Sequence, residues 1–226
     1  SAGKTNPVNE LFYVTVSDDF LDCAYLTNGQ KSAYRDTLNE LVIYDSWNNS
    51  QTYTQRKEYL NGLYEKYDLK DILLVDHRWQ RDTLDISNPA HYPASTYWGS
   101  ADDFSSYITT VKNTMGWDLA LHEDYWFMQP SDTNQYWKVE NVKDKLAQNA
   151  DGSLRYGWQE TSYANLSNMM TEYAKVESPK IEQAYNPSAS FLDVNGGVDP
   201  SKMNQVTLNA QSSTSRTLAQ VVADNA

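Results

Sequence analysis

Four short apolar runs, each closing on or beside a carboxylate, alternate along this chain with segments of helical periodicity. The runs are Glu40-Leu41-Val42-Ile43-Tyr44-Asp45, Asp71-Ile72-Leu73-Leu74-Val75-Asp76, Trp117-Asp118-Leu119-Ala120-Leu121-His122 and Ser190-Phe191-Leu192-Asp193-Val194. The second is too short for a helix and apolar throughout, the pattern of a parallel strand buried on both faces. A helix is predicted at about 54–67, with Tyr59, Leu60, Leu63, Tyr64 and Tyr67 at helical spacing and Thr54 as N-cap. Further helices are predicted at 101–114, with Phe104, Tyr107, Ile108 and Val111 on one side, at 164–184 around Pro179, and at 212–224. Gly116 suits the C-cap of the second. Residues 11–16 read as a strand, and 31–39 as a short helix or an irregular loop.

Such alternation predicts a parallel sheet with right-handed crossovers. Two closures satisfy it: an open doubly wound sheet and a (β/α)8 barrel. No Gly-rich phosphate loop follows any strand, which weakens the nucleotide-binding version. A complete barrel takes about 250 residues and eight strands. The 226 residues supply about four βα units. The expectation is an α/β fold, a partial (β/α)8 TIM barrel cut from a larger protein. Residues 1–30 form a lead-in with one strand, and 31–226 the first half of the barrel.

Composition removes several function classes. Lys plus Arg number 18 against 30 Asp plus Glu, a net charge of −12. That excludes a nucleic-acid partner bound by a broad basic face. No apolar run reaches the roughly 18 residues of a membrane span. The single cysteine, Cys23, excludes an internal disulfide and a cysteine-rich metal site. His77, His91 and His122 are scattered with no ligand-pair spacing, and no Asp-x-Asp-x-Asp loop is present, so no metal or cofactor is expected. Asn48-Asn49-Ser50 and Asn165-Leu166-Ser167 match the short glycosylation pattern, at a frequency chance supplies.

Reactive groups of a βα fold collect at the C-terminal ends of the strands. Here those ends carry Asp45, Asp76 followed by His77, His122 followed by Glu123 and Asp124, and Asp193. A single strand-end Asp is usually a turn former or helix cap; four such ends in succession point to a site. The chain has seven Trp and 17 Tyr against five Phe, so its aromatics pair an apolar face with a polar edge. Trp47, Trp79, Trp98, Trp126, Trp137 and Trp158 fall in loops after or between the strands. Carboxylates below aromatic walls are the chemistry of glycoside hydrolysis, with its oxocarbenium-like transition state. A structural domain with an acidic, Tyr-rich surface is the bland alternative.

Read in order, Ala33-Tyr34-Arg35-Asp36, Gly99-Ser100-Ala101-Asp102-Asp103-Phe104, Leu119-Ala120-Leu121-His122, Asn149 to Trp158 and Phe191-Leu192-Asp193-Val194-Asn195-Gly196-Gly197 resemble the catalytic barrel of glycoside hydrolase family 101, the endo-α-N-acetylgalactosaminidases. The resemblance runs from about residue 31 to the end. It implies a secreted or cell-surface retaining glycosidase acting on a glycan or glycoprotein, with Asp193 as nucleophile in an aromatic-x-Asp-Val-x-Gly motif. It implies substrate contacts at Asp85 (preferred over Asp82), His122 and Trp158; Asp76 and Asp124 join them as strand-end carboxylates. It places the acid/base Glu one βα unit further on, beyond Ala226, in the remainder of the barrel. The chain departs from the family at His77-Arg78-Trp79-Gln80-Arg81 and at Glu160, where a second Trp is expected. Both departures lie where the sugar is selected. A non-catalytic carbohydrate-binding relative is the alternative.

Overall fold

The computed structural model describes residues 35–47, 50–157 and 160–193. The chain divides into two compact units, Ser1–Leu41 and Val42–Ala226. In the first, the described part is a short helix, α1 (Arg35–Asn39), closed by a turn from Glu40 N–H to Thr37 O. Of the two readings of 31–39, the helix holds over 35–39, and 31–34 lie outside the described residues. The strand expected at 11–16, Cys23, Trp158, Asn195 to Gly197 and the helix expected at 212–224 lie outside the described residues.

The second unit alternates strands and helices. β1 (Val42–Ser46) leads to α2 (Tyr53–Tyr67), β2 (Ile72–Asp76), α3 (Ala101–Thr109) and β3 (Asp118–Glu123). A small antiparallel pair follows, β4 (Phe127–Met128) with β5 (Tyr163–Ala164), then α4 (Ser167–Tyr185) and β6 (Ala189–Leu192). The main sheet is parallel in the order β1-β2-β3-β6. A doubly wound sheet reverses its strand order at a switch point. This order runs one way only, which decides between the two closures: the fold is a partial α/β barrel of four consecutive strands.

Local chemistry explains the boundaries. Thr52, not Thr54, caps α2, because Thr52-x-x-Gln55 forms a reciprocal capping box. The Thr54 hydroxyl instead reaches Asp103 Oδ1 (3.5 Å). Ser100 and Asp103 make the same box for α3. α3 runs on into a π turn (Thr110–Thr114), and Gly116 leaves it at φ 67°, a left-handed value that glycine adopts without strain.

The buried stripe of α2 is Tyr53, Arg56 and Leu60, while Tyr59 and Tyr67, two of the positions at helical spacing, are exposed. β2 is buried along its whole length, as its unbroken apolar run requires. β1 differs: Val42 and Ile43 are 62 % and 61 % exposed, because among the described residues β1 has a strand neighbour on one side only. The core joins β2 and β3 to the helices through Leu74, Leu119, Leu121, Phe104, Tyr107, Val111 and Ile181. Asn165, one of the two glycosylation matches, is fully buried with its amide donating to Tyr125 O (2.9 Å), so it is a structural side chain.

Candidate active site

The C-terminal ends of β1, β2, β3 and β6 bring their polar side chains to one edge of the sheet. Asp193 directly follows β6. Its backbone N–H donates to Glu123 O (3.0 Å), which extends the pairing with β3 by one residue, and its side chain is 37 % exposed. His122, wholly buried on β3, approaches Asp193 Oδ2 with Nε2 at 3.2 Å. The other ring nitrogen, Nδ1, lies 2.7 Å from Gln80 Nε2. That amide nitrogen also donates to His77 O (3.3 Å), so it is a donor and Nδ1 is an acceptor. The His122 proton therefore sits on Nε2 and is donated to Asp193. Gln80, His122 and Asp193 form one hydrogen-bonded line that orients the carboxylate.

A second acidic group sits beside it. Asp124 directly follows β3 in a tight turn, its Oδ1 accepting Trp126 N–H (2.7 Å) and its Oδ2 the Asn88 amide (3.1 Å). Asn88 Nδ2 also donates to Asp85 Oδ1 (3.0 Å), so one amide bridges the two carboxyls. Burial first, and then the Asp85 charge, push the Asp124 carboxyl well above the ordinary carboxylate range; the Asp193 charge adds in the same direction. Asp85 stands half-buried with a left-handed backbone, φ 60°. Asp82 is exposed and accepts the Ser87 hydroxyl (2.5 Å).

The remaining strand ends are built differently. Asp76 is completely buried, paired with Arg56 Nη1 at 3.3 Å and accepting Arg78 N–H at 2.9 Å. Its side chain is enclosed by protein groups. Glu123 is buried against Tyr125 and Ser178, its Oε2 accepting both hydroxyls. At β1 the carboxylate is open: Asp45 is 51 % exposed, with His77 Nε2 at 2.6 Å from its Oδ1.

The tryptophans are not the expected wall. Trp79 and Trp98 are core residues, Trp79 lying parallel to Phe104 and donating its indole N–H to His122 O (2.9 Å). Trp137 stacks on Tyr163 with ring centroids 5.7 Å apart. Trp126 packs between two apolar clusters. Trp47 stays open at the sheet edge, 48 % exposed. Three groups that sequence reasoning missed hold this site in place: Gln80, Asn88 and Glu177. Glu177, buried on α4, accepts the backbone N–H groups of His91 and Tyr92 (3.0 and 3.1 Å) and so pins the loop after β2. Its helical position, on a face otherwise packed inward, was the one available signal.

His91 makes the site sensitive to acid. It is buried, and its Nε2 accepts Asp124 N–H (2.9 Å). Burial, and next the neighbouring His122, drive its pKa down from 6.5 to about 3. The unfolded chain then holds one proton more than the fold between about pH 6.5 and pH 3. Stability contributed by His91 is whole above that window and falls as pH drops through it, by about 1.4 kcal/mol per pH unit. Asp124, shifted upward, acts oppositely: its contribution is present at low pH and is lost as pH rises through its folded pKa. His91→Gln keeps an acceptor for Asp124 N–H and removes the imidazole. Its urea midpoint is expected to fall less steeply than wild type between pH 6 and 4; parallel acid limbs would refute the assignment.

No protein-family profile matches the chain, and no curated protein matches it. Solved structures do. The α-N-acetylgalactosaminidase NagBb from Bifidobacterium bifidum, in its complex with GalNAc, superposes with a TM-score of 0.58 at 15 % identity, over 76 % of this chain and 32 % of that one. A MutB variant in complex with sucrose superposes with a TM-score of 0.52 at 12 % identity, over 73 % of this chain and 36 % of that one. What these structures share with the chain is the partial α/β barrel. The chain spans about a third of the length of these proteins. At such identities it is the fold that is shared, and chemistry has to be argued from the side chains.

Proposed function

We propose that the chain carries the nucleophile half of a retaining glycoside hydrolase, with Asp193 attacking the anomeric carbon. The observation that carries this reading is the Asp193–His122–Gln80 line: a part-exposed carboxylate at a strand end, oriented by a buried imidazole whose proton is itself placed by a buried amide. A nucleophile needs both access and a fixed direction. Attack forms a glycosyl ester on Asp193 while the glycosidic oxygen leaves with a proton from an acid/base carboxyl; water then cleaves the ester with that same group acting as base. The acid/base group on this reading is a carboxyl on another strand of the barrel. Asp85, Asp124 and Trp158 are assigned to substrate binding, with Asp124 acting mainly through Asn88 and Asp85. The enclosure of Asp76 assigns it to holding the sheet end rather than to the sugar.

The family 101 motifs and the structural likeness to an α-N-acetylgalactosaminidase support glycans or glycoproteins bearing α-GalNAc linkages as substrates. An extracellular or cell-surface setting follows from such substrates. The test is covalent trapping. The full-length protein is incubated with a 5-fluoro-α-galactosaminyl fluoride and digested, and the peptides are weighed by mass spectrometry. One sugar ester on the peptide containing Asp193 is expected; a label on another carboxylate, or none, would sink the assignment. A non-catalytic carbohydrate-binding relative is the second reading, favoured by the enclosure of Asp76, Glu123 and Asp124. It predicts glycan binding with no label.

A further inference from the structure

We infer that Asp45 and Trp47 form a second sugar-binding position, for a ring joined to the one that Asp193 addresses. The inference rests on the glycan reading above. The two residues sit at the end of β1, whose register places Ser46 opposite Asp76, so the loops after β1 and β2 start side by side.

The carboxylate is fixed by two donors. His77, almost fully buried, presents Nε2 to Asp45 Oδ1 at 2.6 Å, and Trp47 donates its indole N–H to Asp45 Oδ2 at 3.2 Å. A carboxylate accepts only, so the shared proton of the first pair sits on His77 Nε2. Each carboxylate oxygen has two lone-pair sites. With half of the Asp45 side chain exposed, accepting capacity is turned toward solvent. The Trp47 ring lies flat on His77, with centroids 4.2 Å apart and planes 12° from parallel. One indole face is thus covered by imidazole, yet the residue remains 48 % exposed. A stacked, hydrogen-bonded indole with an open face beside open carboxylate acceptors is held ready for a ligand before it arrives.

The ligand must offer a flat apolar face and, at its edge, a pair of hydroxyl donors. A neutral pyranose does both. The position is continuous with Asp193: the His77 ring lies 4.9 Å from that of His122, and both pack on Phe191, two residues before Asp193. A ring on Trp47 and a ring at Asp193 therefore fit one oligosaccharide along the edge of the sheet. An organic cation could also use an indole face and a carboxylate, but its binding would weaken with salt, whereas a neutral sugar's would not.

The experiment uses the full-length protein on a neutral-glycan array, followed by calorimetric titration of the best disaccharide at two salt concentrations. Trp47→Ala and Asp45→Asn are each expected to weaken disaccharide binding about tenfold. Trp47→Phe, which retains a flat face, is expected to lose less. Tyr97→Ala, which removes a 74 % exposed aromatic ring that is not part of the Asp45–Trp47–His77 cluster, serves as the control that binds like wild type. The inference is overturned if wild type binds no neutral glycan of two or more rings, if the Trp47 and Asp45 variants bind as wild type does, or if tetramethylammonium binds instead in a salt-sensitive manner. Trapping on Asp193 with Trp47-independent binding would refute this position alone. Trp47-dependent binding without any label would refute the hydrolase and leave the position standing.

Discussion

Replacing Asp193 by glycine in the full-length protein is expected to lower glycoside turnover by about a thousandfold or more. Added azide is then expected to restore turnover and to yield a glycosyl azide of configuration opposite to that of the substrate. The Asp193 carboxylate is part-exposed and faces solvent beyond a buried histidine, so its removal leaves a small opening on the side from which, on the proposed mechanism, the anomeric carbon would be attacked. Azide enters that opening, forms the carbon–nitrogen bond in place of the carboxylate ester, and the glycosidic oxygen departs protonated by the untouched acid. With no second displacement, one inversion survives in the product. Asp193→Asn serves as the structural control, since the amide oxygen still accepts the His122 Nε2 proton. An Asn variant that turned over at the wild-type rate would end the nucleophile assignment, as would an azide product of retained configuration.

What the sequence showed, and what it concealed, divides along the range of the interactions. β2 was legible because burial on both faces leaves no room for polar residues from Ile72 to Val75. The succession of strands was legible too, and it sufficed for the barrel topology once the order of the sheet excluded a reversal. The N-cap of α2 lies two residues before the expected Thr54 because both Thr52 and Thr54 are capping residues. Only the reach of Gln55 back to the Thr52 N–H selects between them. β1 looks as apolar as β2 in sequence, yet Val42 and Ile43 are exposed. Sequence reports which residues tolerate burial, not how many neighbours a strand has.

The site was legible where function collects at strand ends and illegible where a long-range partner decides. Asp193 and His122 were expected together and lie 3.2 Å apart. Asp76 looked equivalent to Asp193, a carboxylate at the end of an apolar run. What separates them is Arg56, 20 positions earlier on a helix face that reads as a hydrophobic stripe. The tryptophans misled for a related reason: a loop Trp in sequence is a core Trp when its loop folds inward, as at Trp79, whose indole N–H is spent on the His122 carbonyl. Trp47 and Trp79 are alike in sequence, each a few residues past a strand-end Asp, and opposite in exposure.

Arg56→Met is expected to cost about 3–5 kcal/mol of folding stability, a large share of the roughly 5–15 kcal/mol available to a domain. Arg56 and Asp76 are both completely buried, with Nη1 3.3 Å from Oδ2. The guanidinium also lies over the rings of Tyr53 and Trp98, at 5.2 and 5.3 Å, and its Nε donates to Gln51 O. Methionine recovers most of the apolar contact but leaves Asp76 as an uncompensated charge in the core. The Tyr107 phenol already registers that setting: burial, and then the Asp76 charge, push it well above its ordinary value. Adding Asp76→Asn removes the stranded charge while retaining an oxygen for Arg78 N–H, so the double variant is expected to be more stable than Arg56→Met alone. The measurement is the urea midpoint of each variant at an unchanged denaturant slope, so that a shift reports stability and not a loosened native state. If Arg56→Met lost less than about 1 kcal/mol, the desolvation penalty that makes breaking a buried pair so unfavourable would be absent, and Asp76 would have to be open to solvent. In that event Asp76 would rejoin Asp45 and Asp193 as a candidate for the proposed sugar-binding face.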